Sequence, residues 1–266
     1  MIGQKNLIDI MSKQIEANTF SRFSIIVGER GSGKNILARL IAHKISKAVI
    51  ETDIKVGSIR DIITEAYKIA NTVVYIIPDA DNMSVNAKNA LLKVTEEPPN
   101  NAYFIMTLND VVNTLPTITS RGTVYRLQTY TYEELSEYAN QIDSNISNAD
   151  KDFIMRTCNN PYDIKLLLKY GVADFKDYVN TVIDNVAEVS LANAFKIADK
   201  IDLKENDETK YNLNIFWKAF MQMCLELKKY KWVMITNKYI SSLRISGINK
   251  SALFDMWIID LTAEVN

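Results

Sequence analysis

Short apolar runs alternate with amphipathic stretches through the first half of the chain, and amphipathic stretches alone fill the second. Phe23 to Val27, Val73 to Ile77 and Tyr103 to Met106 are the apolar runs. Such runs suit strands buried on both faces of a parallel sheet. Apolar residues recur at helical spacing between them. Lys5 to Glu16 carries Leu7, Ile8, Met11 and Ile15, and a helix from Asn35 carries Ile36, Leu37, Leu40, Ile41 and Ile45 inward. A third begins at Ser58 with Asp61 as a capping-box variant, and places Ile59, Ile62, Ile63, Ala66 and Ala70 on one face. A fourth is N-capped by Ser84, shows Ala87, Ala90, Leu91 and Val94 on one face, and is closed by Pro98 and Pro99.

Past Leu127 only the helical period remains. Thr131 and Glu134 form a capping box ahead of Leu135, Tyr138, Ala139 and Ile142. Ser147 to Thr157 and Pro161 to Lys169 read as two more helices, the second with proline at its first position. Three stripes follow: Phe175, Val179, Val182, Ile183 and Val186; Leu213, Phe216, Phe220, Met223 and Leu227; and Leu253, Trp257 and Leu261. They read as core. Lys204 to Lys210 reads as a polar surface loop, and the short basic cluster Lys228, Lys229, Lys231 as a solvated helix end.

The strand Phe23 to Val27 runs into Gly28-Glu29-Arg30-Gly31-Ser32-Gly33-Lys34-Asn35, and a helix follows. Strand, glycine loop, lysine and helix are the context of a phosphate-binding loop. Gly28, Gly31 and Gly33 let backbone N–H groups, including that of Ser32, curl round phosphate oxygens, and the helix N-terminus adds a favourable dipole end. Lys34 supplies a point charge for the β- and γ-phosphates. Asn35 stands where a Ser or Thr hydroxyl would hold Mg²⁺, which weakens metal binding without abolishing phosphate binding. Acidic residues Asp79 and Asp81 follow the strand ending at Ile77, where open α/β sheets place ligands. Asp81 reads as a loop or capping residue.

Composition narrows the field. The 266 residues suffice for one large domain or two to three small ones, and the formal net charge is -1. A nucleic-acid role would therefore rest on local patches or on assembly. Cys158 and Cys224 are the two cysteines, read as reduced core residues; no four-cysteine zinc module is available, and zinc is not expected. His43 is the lone histidine, on a helix, and no metal site is assigned. No signal peptide and no membrane-length apolar run is read, so the expected compartment is the cytoplasm, with no membrane partner.

Several motifs together resemble the AAA+ subunits of DNA polymerase clamp loaders. They are Ala90-Leu91-Leu92-Lys93 with Glu96-Glu97-Pro98-Pro99, then Leu115-Pro116-Thr117-Ile118 with Ser120-Arg121. The chain looks most like the delta-prime subunit of bacterial DNA polymerase III, with gamma/tau next. The resemblance is dense from Ile2 to Arg121 and only architectural after about Tyr170. It implies an α/β fold: an AAA+ P-loop domain with a parallel sheet (residues 1–128), a small three-helix lid (129–170) and an all-α collar-like domain (171–266).

The same resemblance assigns roles. Gly3 and Gln4 fall in a motif near the adenine of bound nucleotide. Thr107, or Asn109, falls where the family carries its sensor-1 residue. Ser120-Arg121 matches a Ser-Arg-Cys motif whose arginine reaches a neighbour's γ-phosphate, with Gly122 replacing the cysteine. Where an active member carries Asp-Glu, this chain has Pro78 and Asp79, a degenerate pair. Tyr162 takes the place of the sensor-2 arginine. Three elements of hydrolysis are thus altered while the trans-acting arginine remains. The expectation is a stator that completes a neighbour's ATP site and helps load a sliding clamp on primed DNA, with other clamp-loader subunits as partners and little or no ATPase of its own. A gamma/tau-like ATPase and a nonreplicative adaptor stay open. So does ATP or ADP held without turnover, with weakened Mg²⁺.

Overall fold

The computed structural model describes residues 2–188, 197–204, 207, 209–243, 245 and 247–264. They fall into two compact units divided after Thr129.

In the first unit five strands form one parallel sheet: β1 (Phe23–Val27), β2 (Val49–Glu51), β3 (Val73–Ile77), β4 (Ala102–Leu108) and β5 (Thr123–Arg126), in the order β2-β3-β4-β1-β5. The central strands are buried on both faces, as their unbroken apolar runs require. Alternate residues serve opposite layers. Ile26, Val74, Ile76 and Ile105 pack with α1 (Lys5–Glu16) and α2 (Lys34–Ile45), while Ile25, Tyr75, Ile77, Phe104 and Met106 face α3 (Val56–Ala66), α4 (Val85–Glu96) and α5 (Pro116–Thr119). Each sheet face takes the apolar stripe of its own helices, which fixes register, because a one-residue slip would exchange the two cores.

Local chemistry places most helix ends. The Ser84 hydroxyl accepts the Ala87 N–H and starts α4. The expected start at Ser58 is corrected: α3 begins two residues earlier, at Val56. Asp53 supplies the turn instead, accepting the Lys55 N–H and a hydrogen bond from Ser58, which hold its carboxyl below the usual range. Ala70 lies beyond the end of α3 and is exposed. Ile36 also departs from expectation: the buried face of α2 is centred on Leu37, Ala38, Ile41 and Ala42, and Ile36 lies opposite it.

The second unit contains α6 (Tyr132–Ile142), α7 (Asn148–Thr157), α8 (Pro161–Tyr170), α9 (Val172–Ala187), α10 (Leu213–Glu226), α11 (Tyr230–Ser242) and α12 (Lys250–Ala263). It is not wholly helical. A two-residue parallel pair, β6 (Ile201–Asp202) with β7 (Tyr211–Asn212), flanks the polar run from Lys204. Residues 205, 206 and 208 of that run lie outside the described residues. The capping box at Thr131 forms in both directions: its hydroxyl accepts the Glu134 N–H, and Glu134 accepts the Thr131 N–H. One apolar core runs from Leu135 to Leu261, so the helices on either side of residue 170 share it. At its centre Trp257 packs edge-on to Phe216 and Phe220 and donates its indole N–H to the buried Thr236 hydroxyl at 2.9 Å. Leu227 is exposed just past the end of α10, where Lys228 turns left-handed. In the basic cluster Lys229 lies over the Trp232 ring and Lys231 pairs with Glu264.

Cys158 and Cys224 are free thiols buried in this core, as expected. Burial pushes both thiols up, Cys224 to about 12, so almost no thiolate exists at pH 8. Iodoacetamide at pH 8 is therefore expected to leave both unlabelled in the folded chain and to label both in urea. Labelling of the folded chain at the rate of a free cysteine would contradict this packing.

Candidate functional site

The carboxyl ends of β1, β3 and β4 meet where the strand order reverses, the position at which open α/β sheets bind ligands. Gly28 leaves β1 with its N–H donated to the Leu108 carbonyl. A Cβ on Gly28 would lie 2.5 Å from the Ser32 hydroxyl oxygen and 3.2 Å from Leu127, so this position accepts no side chain without movement. Gly31 and Gly33 both sit at φ 84°, the left-handed region that costs glycine nothing. Gly33 then hands the chain to α2, whose first residue is Lys34.

Lys34 is nearly out of water, its side chain 6% exposed, and its ammonium is engaged by two acceptors from neighbouring strand ends. Asn109 Oδ1 lies 2.8 Å away and Asp79 Oδ1 3.1 Å away. The other Asp79 oxygen accepts the Asn35 amide at 3.0 Å. Thr107, wholly buried in β4, donates its hydroxyl to Asn35 Oδ1 at 2.6 Å and accepts the Asp79 N–H at 2.9 Å. An ionised carboxylate only accepts hydrogen bonds, so the Asn35 amide nitrogen must face Asp79 and its oxygen must face Thr107. Asp79 itself sits at φ 47°, a conformation that Asp tolerates better than most residues.

The residues expected to form a nucleotide site are thus brought together: Lys34, Asn35, Asp79 and Thr107 share one closed network. Of the two sensor-1 candidates, Asn109 is the one that meets the lysine, while Thr107 braces Asn35 and Asp79. Chain position could not separate them. β4 extends to Leu108, which buries Thr107 inside the strand and leaves Asn109 just beyond it.

Behind this network Asp81 is 4% exposed and accepts both the Asn109 and Asp110 backbone N–H groups and the Asn113 side-chain amide. Lys88 of α4 donates to the Asp81 and Asn113 carbonyls. Asp81 is the loop-capping residue it was read as, and it ties the segment after β3 to the segment after β4, so it positions Asn109.

Magnesium finds few donors here. The Asn35 oxygen already accepts from Thr107, Pro78 offers no ligand, and among the described residues no cluster of three His, Cys, Asp or Glu could hold a metal ion. The glycine loop and Lys34 fit a phosphate, and the one carboxylate beside them, Asp79, is engaged by Lys34 and Asn35, so the side chains fit an accompanying magnesium less well.

Arg121 lies on a separate short turn after α5. Its side chain is 38% exposed, with Nη2 2.9 Å from Glu96 Oε1 and Nη1 donating to the Thr117 carbonyl at 3.0 Å. The Ser120 hydroxyl donates to the same carbonyl. Glu96, the last residue of α4, belongs to the motif but carried no expected role; the structure makes it the partner of Arg121. Gly122 has a packing reason: a Cβ there would lie 2.9 Å from both Ile25 and Phe23, two buried β1 residues that fill the space a cysteine would need.

Gly3 and Gln4 adopt left-handed conformations, and the Gln4 side chain pairs with the backbone of Gln128 in both directions, at 2.7 and 2.9 Å. It thereby pins the N-terminal loop to the chain leaving β5. In the second unit Tyr162 is exposed on the first turn of α8, which Asn160 caps, and Lys218 pairs with the buried Asp163 of that turn at 2.7 Å.

The family described as DNA polymerase III, delta subunit, matches residues 44–131. The gamma subunit of Buchnera aphidicola from Acyrthosiphon pisum is 26% identical over 173 residues, 53% of this chain and 48% of that protein. The tau subunit of Bacillus subtilis is 26% identical over 46% of this chain and 27% of its own length. The chain thus spans about half the length, or less, of these relatives. A gamma subunit-related protein of Thermotoga maritima superposes with a TM-score of 0.54 at 15% identity, covering 97% of this chain and 99% of that one. A point mutant of RuvB from the same organism superposes at 0.57 with 19% identity, covering 97% and 88%. These show an AAA+-like α/β fold followed by a helical region, and they bear out the resemblance to DNA polymerase III clamp-loader subunits.

Asp81→Ala would remove the buried carboxylate that now accepts the Asn109 and Asp110 N–H groups and the Asn113 amide, a loss of roughly 2 kcal/mol. Urea denaturation is expected to show that loss in the first unit, and a change below about 1 kcal/mol would mean that water replaces the carboxylate at little cost.

Proposed function

We propose that the chain acts as a clamp-loader subunit of a replicative DNA polymerase in the delta-prime manner. It would complete the ATP site of an adjoining motor subunit with Arg121, help load a sliding clamp on primed DNA, and perform little hydrolysis itself. The observation that carries this reading is the contrast between two groups in one unit. Lys34 is buried and engaged by its own chain, whereas Arg121 is part-exposed on a turn and held by an ion pair and a carbonyl. An ion pair between exposed side chains contributes about 0–1 kcal/mol, so the guanidinium can be redirected to a stronger anion. A triphosphate of a partner subunit is such an anion, and an arginine supplied in trans stabilises charge as phosphoryl transfer proceeds.

The hydrolytic side supports the same reading. A water-activating carboxylate needs freedom to orient water, and a catalytic magnesium needs oxygen ligands. Asp79 is committed to Lys34 and Asn35, and Pro78 precedes it. The names of the relatives, subunits of a DNA polymerase, support a cytoplasmic setting. Among the described residues no helix is long and apolar enough to cross a membrane.

A second reading, a gamma/tau-like ATPase, is favoured by those same names, which are gamma and tau subunits. The two readings separate in one reconstituted complex. Under the first, Arg121→Ala lowers ATPase by the share of the one site it serves, roughly 10³-fold at that site, with assembly intact, and Lys34→Ala leaves the rate near wild type. An Arg121→Ala complex that assembles and hydrolyses at the full rate would sink the proposal. Loss of steady-state hydrolysis by the isolated chain on Lys34→Ala would establish the second reading.

A further inference from the structure

The glycine loop is intact, yet its lysine already has an anion. We propose that Asp79 makes this loop selective for a nucleoside diphosphate bound without magnesium, and sets it against the triphosphate. This goes beyond the role of Arg121 and does not rest on it.

Three observations converge. First, the Asp79 carboxylate stands 3.1 Å from the Lys34 ammonium and is 52% exposed, against 6% for the lysine, so it lies on the solvent side of the charge. Second, its position is over-determined. Its N–H is held by Thr107, its second oxygen by Asn35, and Pro78 restricts the backbone before it. Third, the next cation along α2 is already spent. Arg39 pairs bidentately with Glu51 at 2.8 Å through both its Nε and Nη2.

The consequence follows from charge. A P-loop lysine serves the β- and γ-phosphates together, and magnesium neutralises the added charge of the γ-phosphate. The positions that the motif resemblance makes metal-facing are Asn35, whose oxygen already accepts from Thr107, and Pro78, which has no ligand atom to offer. A γ-phosphate would compete with the Asp79 carboxylate for Lys34 and lie beside it without magnesium to offset the added charge. A β-phosphate needs only the loop N–H groups, the helix N-terminus and a share of Lys34. Half-exposure of Asp79 screens the repulsion to the low end of the Coulomb range, a penalty of about tenfold in affinity for ATP relative to ADP.

Calorimetric titration of the full chain with ADP and with ATP, each with and without magnesium, tests this. ADP is expected to bind about tenfold more tightly than ATP, with magnesium changing neither by more than about twofold, and Lys34→Ala should abolish both. Asp79→Asn keeps the shape and an oxygen for Lys34 but removes the charge, so it should bring the two affinities together by strengthening ATP. Asp79→Ser, which also removes the charge, should do the same if the asparagine variant folds poorly by circular dichroism. The proposal is overturned if wild type binds MgATP as tightly as ADP, if neither charge-removing variant narrows the difference, or if wild type binds no ADP. Each of these outcomes leaves the assay of Arg121 in the assembled complex unaffected.

Discussion

A lysine ammonium withdrawn almost completely from water must find acceptors, and in this chain it finds them at the ends of two neighbouring strands. Everything at the head of the sheet is arranged by that demand. Asn109 beyond β4 and Asp79 beyond β3 converge on Lys34 only because β1 pairs with β4 and β4 with β3, with Val27 opposite Leu108 and Ile77 opposite Met106. Asp81 then binds the two strand exits to each other, so that neither acceptor can drift. A buried charge without such partners would cost several kcal/mol. The network holds the loop and, under the proposal above, the same bonds set it against a metal-bound triphosphate.

Arg121 obeys the opposite rule. It is part-exposed, where an ion pair is weak, and its partners, Glu96 and the Thr117 carbonyl, orient it at little energetic depth. A single unit thus holds one cation locked inward and one lightly held outward. That division of labour is what the proposed role calls for, with charge offered to a neighbour and the loop kept for the chain itself.

Most of the fold was legible in the amino-acid order, and the failures were local. The three apolar runs are central strands, and the stripes of Phe175, Phe216 and Trp257 enter one core. The helix start expected at Ser58 lies at Val56 because Asp53, upstream of the periodic pattern, organises the turn. Ile36 points outward because the buried face of its helix centres on Leu37, Ala38, Ile41 and Ala42, and at about 100° per residue Ile36 falls on the opposite side. The two-residue pair at Ile201 and Tyr211 carries too little pattern for any period to show.

Sequence alone determined which chemistry was available: a glycine loop with a lysine, an asparagine where a hydroxyl belongs, a proline where a carboxylate belongs, and an arginine on a turn. Those are matters of residue identity, legible from spacing along the chain for the glycine loop and from the resemblance to clamp-loader subunits for the proline and the arginine. Tertiary structure decided what each group does with its charge. Whether Asp79 faces water or Lys34, whether Thr107 or Asn109 meets the lysine, and that Glu96 holds Arg121, depend on contacts between residues 25 to 75 positions apart. Sheet order and strand length set those contacts, and no local period encodes them.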